Sequence, residues 1–302
     1  ATAYTLLPTQ GRPGYTRKFI NMYLKKDGTA FTDQEGWQTL PFTEEVKDRD
    51  PRLAQSIRTP GYKRIGAKRV QGPDLGVTIT GYQPIKFVQD TTASGGQIDR
   101  NDRSTCDMPV FRYAEVLLNY AEAKAELGSL LDDDLNITIN EIRSRVGMPA
   151  LTMKYLHDKQ PDWYLSSEEY GYPNVTGSNE IVNAILEIRR ERTVELIQEG
   201  FRLQDLYRWK AGYCIDQAIS GMYFPGPGEY KLAGKETADL ILYKAGETKP
   251  QAGEGVSVYE LGSDIILSEG NKGYVYYHKT VENLRTPFNE ERDYLYPIPS
   301  GE

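Results

Sequence analysis

The chain has 302 residues, 39% hydrophobic and 26% charged, with a formal net charge of −7 and an isoelectric point near 5.2. This is the composition of a folded chain rather than a disordered one, long enough for one large domain or two, and its acidity disfavours nucleic acid, which needs a basic surface. No apolar run approaches the roughly 20 residues of a membrane-spanning helix, and neither a signal peptide nor an initiating Met is present, so the chain reads as processed or trimmed.

Residues 1–108 are rich in Gly, Pro and short strand-like runs. "GVTITGY" (76–82) alternates apolar and polar residues, and "PIKFV" (84–88) follows it. A helix is predicted over "MPVFRYAEVLLNYAEAKAELG" (108–128), with Pro109 in the first turn and Gly128 as C-terminal cap. Val110, Ala114, Leu117, Leu118, Ala121 and Ala125 keep the helical period, and the small residues Ala114, Ala121, Ala123 and Ala125 allow a second helix to come close. The next helix is predicted over "LDDDLNITINEIRSRVG" (131–147). Asp132–Asp134 cap it, Leu135, Ile139, Ile142 and Val146 form its buried stripe, and Gly147 ends it. The short turn between the two helices makes them antiparallel neighbours.

A long loop (148–178) precedes a third helix. Ser178 or Asn179 caps that helix, Ile181, Ala184, Ile185 and Ile188 set its apolar face, and Gly200 breaks it before a short continuation, "FRLQDLYRW". Residues 211–302 return to loops and short strands: "VSVYELG" (256–262), "DIILS" (264–268) and "GYVYYHK" (273–279). No low-complexity linker separates these stretches, so irregular, β-containing segments are expected to wrap a helical core as one continuous unit.

The stretch "EIRRERTVELIQEGFRLQDLYRWK" (187–210) interleaves dense charge with Ile188, Val194, Leu196, Ile197, Phe201, Leu203, Leu206 and Trp209. Helical spacing offers the pairs Glu187 with Arg190, Glu191 with Arg192, and Glu195 or Glu199 with Arg202 or Arg208, which suits an internal ion-pair network. Catalytic signatures are missing. The two histidines, His157 and His278, stand in no metal-binding spacing, and no nucleophile elbow or phosphate-binding glycine loop occurs. Cys106 and Cys214 are compatible with one disulfide or with two thiols. The Asp132–Asp134 run lacks the spacing of a calcium loop. Aromatic residues are abundant: 22 Tyr, 3 Trp and 8 Phe, residue types that fill cores and also make amphipathic binding surfaces.

Residues 187–210 resemble the signature helix of the SusD/RagB family, E-x-R-R-E-R-x-x-E-L-x-x-E-G-x-R-x-x-D-L-x-R-W, and "FRYAEVLLNYAEAKAELG" (111–128) resembles a second helix of that family. "RDPRLAQSI" (49–57), "GYQPIKFV" (81–88) and "YLYPIPSGE" (294–302) fall in the family's order. The resemblance implies a mainly α fold with irregular loops and short β segments, in which tetratricopeptide-like helix pairs, here 109–210, support a loop-rich face. It implies a lipid-anchored outer-membrane, cell-surface protein that captures oligosaccharides or polysaccharides, or in some branches peptides, for import through a SusC-like TonB-dependent transporter, with no cofactor. It further implies that residues 1–302 are the C-terminal part of such a protein, lacking an N-terminal half and a short C-terminal tail, and that the charged helix is structural.

Sugars offer an apolar C–H face for aromatic stacking and a rim of hydroxyls for polar side chains. Trp37, in the Gly-containing loop "TDQEGWQTLPFTEE" (32–45), lies where family members carry ligand-contacting residues; it is either a stacking platform or a loop anchor. The 155–173 loop, with Tyr155, Trp163, Tyr164, Tyr170 and Tyr172, is long enough to carry function or to be packed by its own aromatics. In "GMYFPGPGEY" (221–230), Tyr223 and Phe224 read as packing residues of a rigid surface loop. Two other classes stand against a glycan-binding lipoprotein. One is a transporter-lid scaffold with no ligand site of its own. The other is a carbohydrate-active enzyme, which requires two carboxylates roughly 5–10 Å apart in a cleft; with no catalytic motif present, a binding protein is the expectation.

Overall fold

The structure, a computed structural model, describes residues 11–100, 103, 105–276 and 287–295. The chain divides into two compact units, Ala1–Met108 with Ile219–Lys279, and Pro109–Ala218 with Thr280–Glu302. His278 and most of the "YLYPIPSGE" motif lie outside the described residues.

The first unit is built on short elements. Helix α1 (Arg17–Asn21) starts at Thr16, whose hydroxyl accepts from Phe19 N; α2 is Phe42–Glu45; α3 (Pro51–Ser56) has Pro in its first turn and Asp50 as cap; α4 is Ala93–Gly96. Strand β1 (Ser220–Phe224) pairs antiparallel with β5 (Gly273–Tyr276), while β2 (Gly228–Tyr230), β3 (Leu240–Tyr243) and β4 (Ser257–Glu260) form a separate sheet, antiparallel then parallel. Residues 221–230, expected as a loop, are thus mostly two strands and their turn, with Phe224 buried as expected. "GVTITGY" and "PIKFV" form no ladder. Their backbone groups are shared out among single partners: Tyr82 O accepts from Tyr15 N, Gln83 O from Arg58 N, Thr80 O from Met222 N, and Ile85 N donates to Ser56 O. Gly81, at φ 86°, packs so closely on Met222 that a Cβ there would lie 2.5 Å from its sulfur.

Charge is buried in this unit too. Arg17 meets Glu45 at 3.1 Å, Tyr82 donates its hydroxyl to the same carboxylate at 2.8 Å, and Arg49 donates to Glu45 O, Ile20 O and Tyr23 O while stacking on Phe31 at 3.7 Å. Most of these buried donors find an acceptor, the condition under which interior charge is tolerated, although Arg49 Nε is left without one.

In the second unit, helix α5 (Tyr113–Glu126) packs against α10 (Asn179–Glu195). Leu117, Leu118, Ala121 and Ala125 meet Ala184, Ile185 and Ile188, and Leu135, Ile139, Ile142, Leu151 and Leu156 extend that core. Helix α5 ends as expected at Gly128, where Gly128 N donates to Ala125 O and Ser129 N to Lys124 O. It begins later than expected: Arg112 is extended, and Pro109 and Val110 lie outside the helix. The expected 131–147 helix is two, α6 (Asp132–Asn136) and α7 (Ile139–Arg145). Thr138 sits between them in a non-helical conformation with its hydroxyl on Asp134 O. The 148–178 loop contains α8 (Met153–Asp158) and α9 (Trp163–Ser166). Helix α10 is capped by Ser178 and ends at Glu195, before Gly200, and α11 (Arg202–Arg208) follows.

Candidate functional site

The charged stretch is interior. Glu187, Arg189, Arg190, Glu191, Arg192 and Glu195 are all buried. Glu187 pairs with Arg190 at 3.4 Å, as the helical spacing predicts, and also with Arg143 and Lys159. For the other expected pairs the structure supplies partners from elsewhere in the chain. Arg143 takes Glu191 at 3.0 Å, Arg112 takes Glu195 and Glu199 at 2.8 and 2.6 Å, and Arg145 takes Glu195 at 2.7 Å. Arg192 turns to Asp205 at 2.8 Å and to Asn119, and Arg208 reaches Glu122 and Asp205. These partners lie in other elements of the chain, Arg112 just before α5 among them, where spacing within one helix cannot reveal them. Burial would raise the Glu187 carboxyl, but Arg190, Lys159 and Arg143 outweigh it and hold it at about 2. These carboxylates are committed to arginines and fasten helices to one another.

In the 152–174 segment, seated on this network, a cluster of aromatic side chains reaches solvent. Thr152 and Asp162 cap α8 and α9 by accepting from Tyr155 N and Leu165 N. Asp162 also receives the buried Arg190 guanidinium. Tyr164 and Tyr170 stack with ring centres 4.5 Å apart and planes 7° from parallel. Trp163 stands edge-on to both rings, at 5.7 and 6.4 Å, and remains 45% exposed. Tyr155, 40% exposed, has the Lys159 ammonium 5.4 Å from its ring centre. The turn is bonded to itself: Ser167 donates its hydroxyl to Tyr164 O and accepts from Tyr170 N, and Tyr172 N donates to Leu165 O at 2.6 Å. A Cβ on Gly171 would lie 2.0 Å from Leu165 O, so the close approach needs glycine.

The expected site residues separate by position. Trp163 is exposed and Tyr170 half-buried, while Tyr164 and Tyr172 are each only 1% exposed and back the surface from within. Tyr172 is edge-on to Trp209 at 5.5 Å and accepts from Arg202 at 3.0 Å. Trp37, which the sequence left as platform or anchor, has the position of an anchor: it is 6% exposed, edge-on to Phe31 at 6.4 Å, and its carbonyl accepts from Arg17 at 2.9 Å. One aromatic pair joins Tyr223, which the sequence reads only as packing, to Tyr274, which it does not single out. Tyr223 and Tyr274 face each other across β1 and β5 with ring centres 5.7 Å apart, both half-buried, and Arg17 lies 4.8 Å from the Tyr274 ring. The period-two spacing of "MYF" and "GYVYY" carried that signal. No disulfide joins Cys106 to Cys214, and among the described residues no three potential metal ligands cluster. Asp134 accepts from Leu131 N and Tyr120, and Asp132 from Met153 N, which spends the acidic run on caps.

Helix pairs carrying loop-borne aromatics in one unit, and short strands and loops in the other, define a SusD-like fold. The SusD family model matches residues 11–302, and the chain belongs to that family. A solved SusD-like carbohydrate binding protein of Bacteroides fragilis is 24% identical, with a TM-score of 0.55 over 94% of this chain and 45% of its own. A second SusD-like protein of Bacteroides fragilis is 22% identical, with a TM-score of 0.47 over 69% of this chain and 38% of its own. The chain thus spans less than half the length of these solved relatives. No curated protein matches it.

Proposed function

We propose that the protein is a cell-surface glycan-binding lipoprotein that captures oligosaccharides for import through a SusC-like TonB-dependent transporter, and that Trp163 and Tyr170 form its contact surface in these residues. The observation that carries this reading is the half-exposed Trp163, held edge-on to a stacked tyrosine pair in a turn pinned from beneath by Arg190. An indole fixed in this way offers a flat apolar face at little ordering cost, and pre-organisation of that kind raises affinity. Tyr164 and Tyr172 serve as its backing. The exposed Glu168 supplies a polar group for a hydroxyl rim. Family membership and the carbohydrate-binding description of the solved relative support the ligand class.

Calorimetric titration with a panel of oligosaccharides and short peptides tests the reading. At least one oligosaccharide should bind, and Trp163→Ala should weaken it by about 1–3 kcal/mol, the scale of stacking on an aromatic side chain, with an unchanged melting temperature. Binding confined to the peptides would reassign the ligand class. Binding that survives Trp163→Ala intact would remove this surface and leave the Tyr223–Tyr274 pair as the next to mutate.

A further inference from the structure

Arg190 pins one end of the Trp163 turn through Asp162, and the segment after α11 holds the other. Gly171 O accepts from the Tyr213 hydroxyl at 3.1 Å and from Cys214 Sγ at 3.7 Å. Asn174 Nδ2 donates to Trp209 O at 2.6 Å, and Tyr172 stands edge-on to the same indole. Because Gly171 has no room for a Cβ beside Leu165 O, the Tyr213 bond acts on the tightest point of the turn. Tyr213 belongs to a short 3-10 helix, Gly212–Asp216, of which only Gly212 is buried. Residues far along the chain grip that helix. Gly212 N donates to the Tyr294 hydroxyl at 2.8 Å, and Asp216 accepts from Phe288 N at 2.7 Å. A Cβ on Gly212 would lie 2.1 Å from the Phe288 ring. Phe288 and Tyr294 have ring centres 4.9 Å apart, and both meet Tyr207 of α11, at 5.9 and 5.8 Å.

We propose that residues 288–294 are a clasp that sets the Trp163 turn through Tyr213, and with it the affinity of the aromatic surface. The clasp is closed on itself: Asn289 N donates to Asp293 Oδ2 at 2.8 Å, Asp293 N returns to Asn289 O at 2.8 Å, and Tyr294 donates to Glu290 at 2.6 Å. Asn289, Glu290, Glu291 and Arg292 are exposed, so two aromatic rings and two backbone donors hold it to the helical unit. An element with so few buried contacts opens at low cost. Tyr213 is then a positioning residue, which acts on Trp163 through Gly171 and touches no ligand itself.

For the test, the protein at its natural length is labelled with fluorinated tryptophan, and the Trp163 signal is identified by its loss in Trp163→Phe. Gly212→Ala wedges a methyl group against Phe288, Tyr294→Phe removes the oxygen that Gly212 N bonds, and Tyr213→Phe removes the link itself. Each should displace the Trp163 fluorine resonance, and Gly212→Ala added to Tyr213→Phe should displace it no further. If Gly212→Ala lowers the melting temperature, Tyr294→Phe decides. Coupling must also run backwards: Gly171→Ala should speed cutting by a glutamate-specific protease after the exposed Glu291 roughly tenfold, with cutting after the exposed Glu254 of the other unit unchanged. A Trp163 signal that ignores the clasp variants overturns the proposal. So do unchanged cutting after Glu291 and an additive double variant, which would take Tyr213 out of the path. The effect on affinity rests on the glycan reading: the oligosaccharide selected by titration should bind Gly212→Ala and Tyr213→Phe roughly tenfold more weakly. Full affinity in a variant whose resonance has moved overturns that last step. A resonance that moves while no oligosaccharide binds sinks the glycan reading and supports the clasp.

Discussion

Arg192 shows how a side chain that reads as surface charge becomes an interior strut. Its Nε donates to both oxygens of the buried Asp205, and Nη1 donates to Asn119. Arg192→Ala leaves the half-exposed Arg208, 2.9 Å away, to face Asp205. Glu195→Ala strips both Arg112 and Arg145 of a carboxylate. Breaking one side of a buried pair costs roughly 3–5 kcal/mol, so Arg192→Ala should melt well below wild type and Glu195→Ala, whose arginine partners are partly solvated, less far below it; unchanged melts would mean that these charges are solvated. The two tryptophans at issue make opposite predictions. Trp37→Ala should destabilise by about 3–5 kcal/mol, the range for removing a large buried aromatic, and should affect ligand binding only through disorder. Trp163→Ala should leave the melt alone and act on binding. A melt and a titration on the same samples check both.

At the scale of elements, the ion-pair network of α10 makes stability depend on acid. The folded Glu187 carboxyl titrates at about 2, below the ordinary value of about 4.3. A depressed folded value contributes stability that is fully present above the unfolded value and is lost as pH falls through the folded one. Denaturant midpoints should therefore fall between about pH 4 and pH 2, with this residue contributing on the order of 3 kcal/mol; Glu187→Gln should flatten that slope. The turn that carries Trp163 has its own test. Gly171→Ala places a methyl group against Leu165 O, so it should open the turn, unstack Tyr164 from Tyr170 and weaken oligosaccharide binding, which near-ultraviolet circular dichroism and titration would follow together.

Legibility also differs by element. Helices α5 and α10 could be read because their buried stripes run for three turns or more, and Gly128 and Ser178 cap them where the sequence places caps. The start of α5 was misread because Arg112, which reaches Glu195 and Glu199, is extended and holds the chain out of the helix there. The interruption at Thr138 is a hydroxyl choosing a backbone carbonyl, and periodicity does not register that. Helices α8 and α9 are too short to show a period, and both depend on single caps. The aromatic cluster was legible as residues but not as a surface. Which of Trp37, Trp163, Tyr164, Tyr170 and Tyr172 meets water is decided by tertiary neighbours such as Arg17 for Trp37 and Trp209 for Tyr172, both distant in sequence.

For the whole molecule, the glycan-import reading predicts that the natural-length protein, solubilised from outer membranes, brings down a TonB-dependent barrel. Recovery without any such barrel would leave a binding protein with no transporter attached. The two units also differ in how the chain writes them. The core of the second lies within one run, residues 117–196. The first is split: its early part ends at Met108 and resumes at Ile219, and Thr80 O waits for Met222 N across that gap. A ribosome releases these segments in order, at about 5–20 residues per second. The opening hundred residues therefore emerge several seconds before the strands that complete them, while the helical unit behind them already has its core. Synthesis thus lets the helical core of the second unit form before the first unit is complete, although the second unit too takes in residues written later, with Tyr294 and Phe288 returning to Gly212 and Asp216. Chains stalled near residue 218 should yield a protease-resistant helical fragment and a digestible N-terminal segment, and release of a few dozen further residues should protect both.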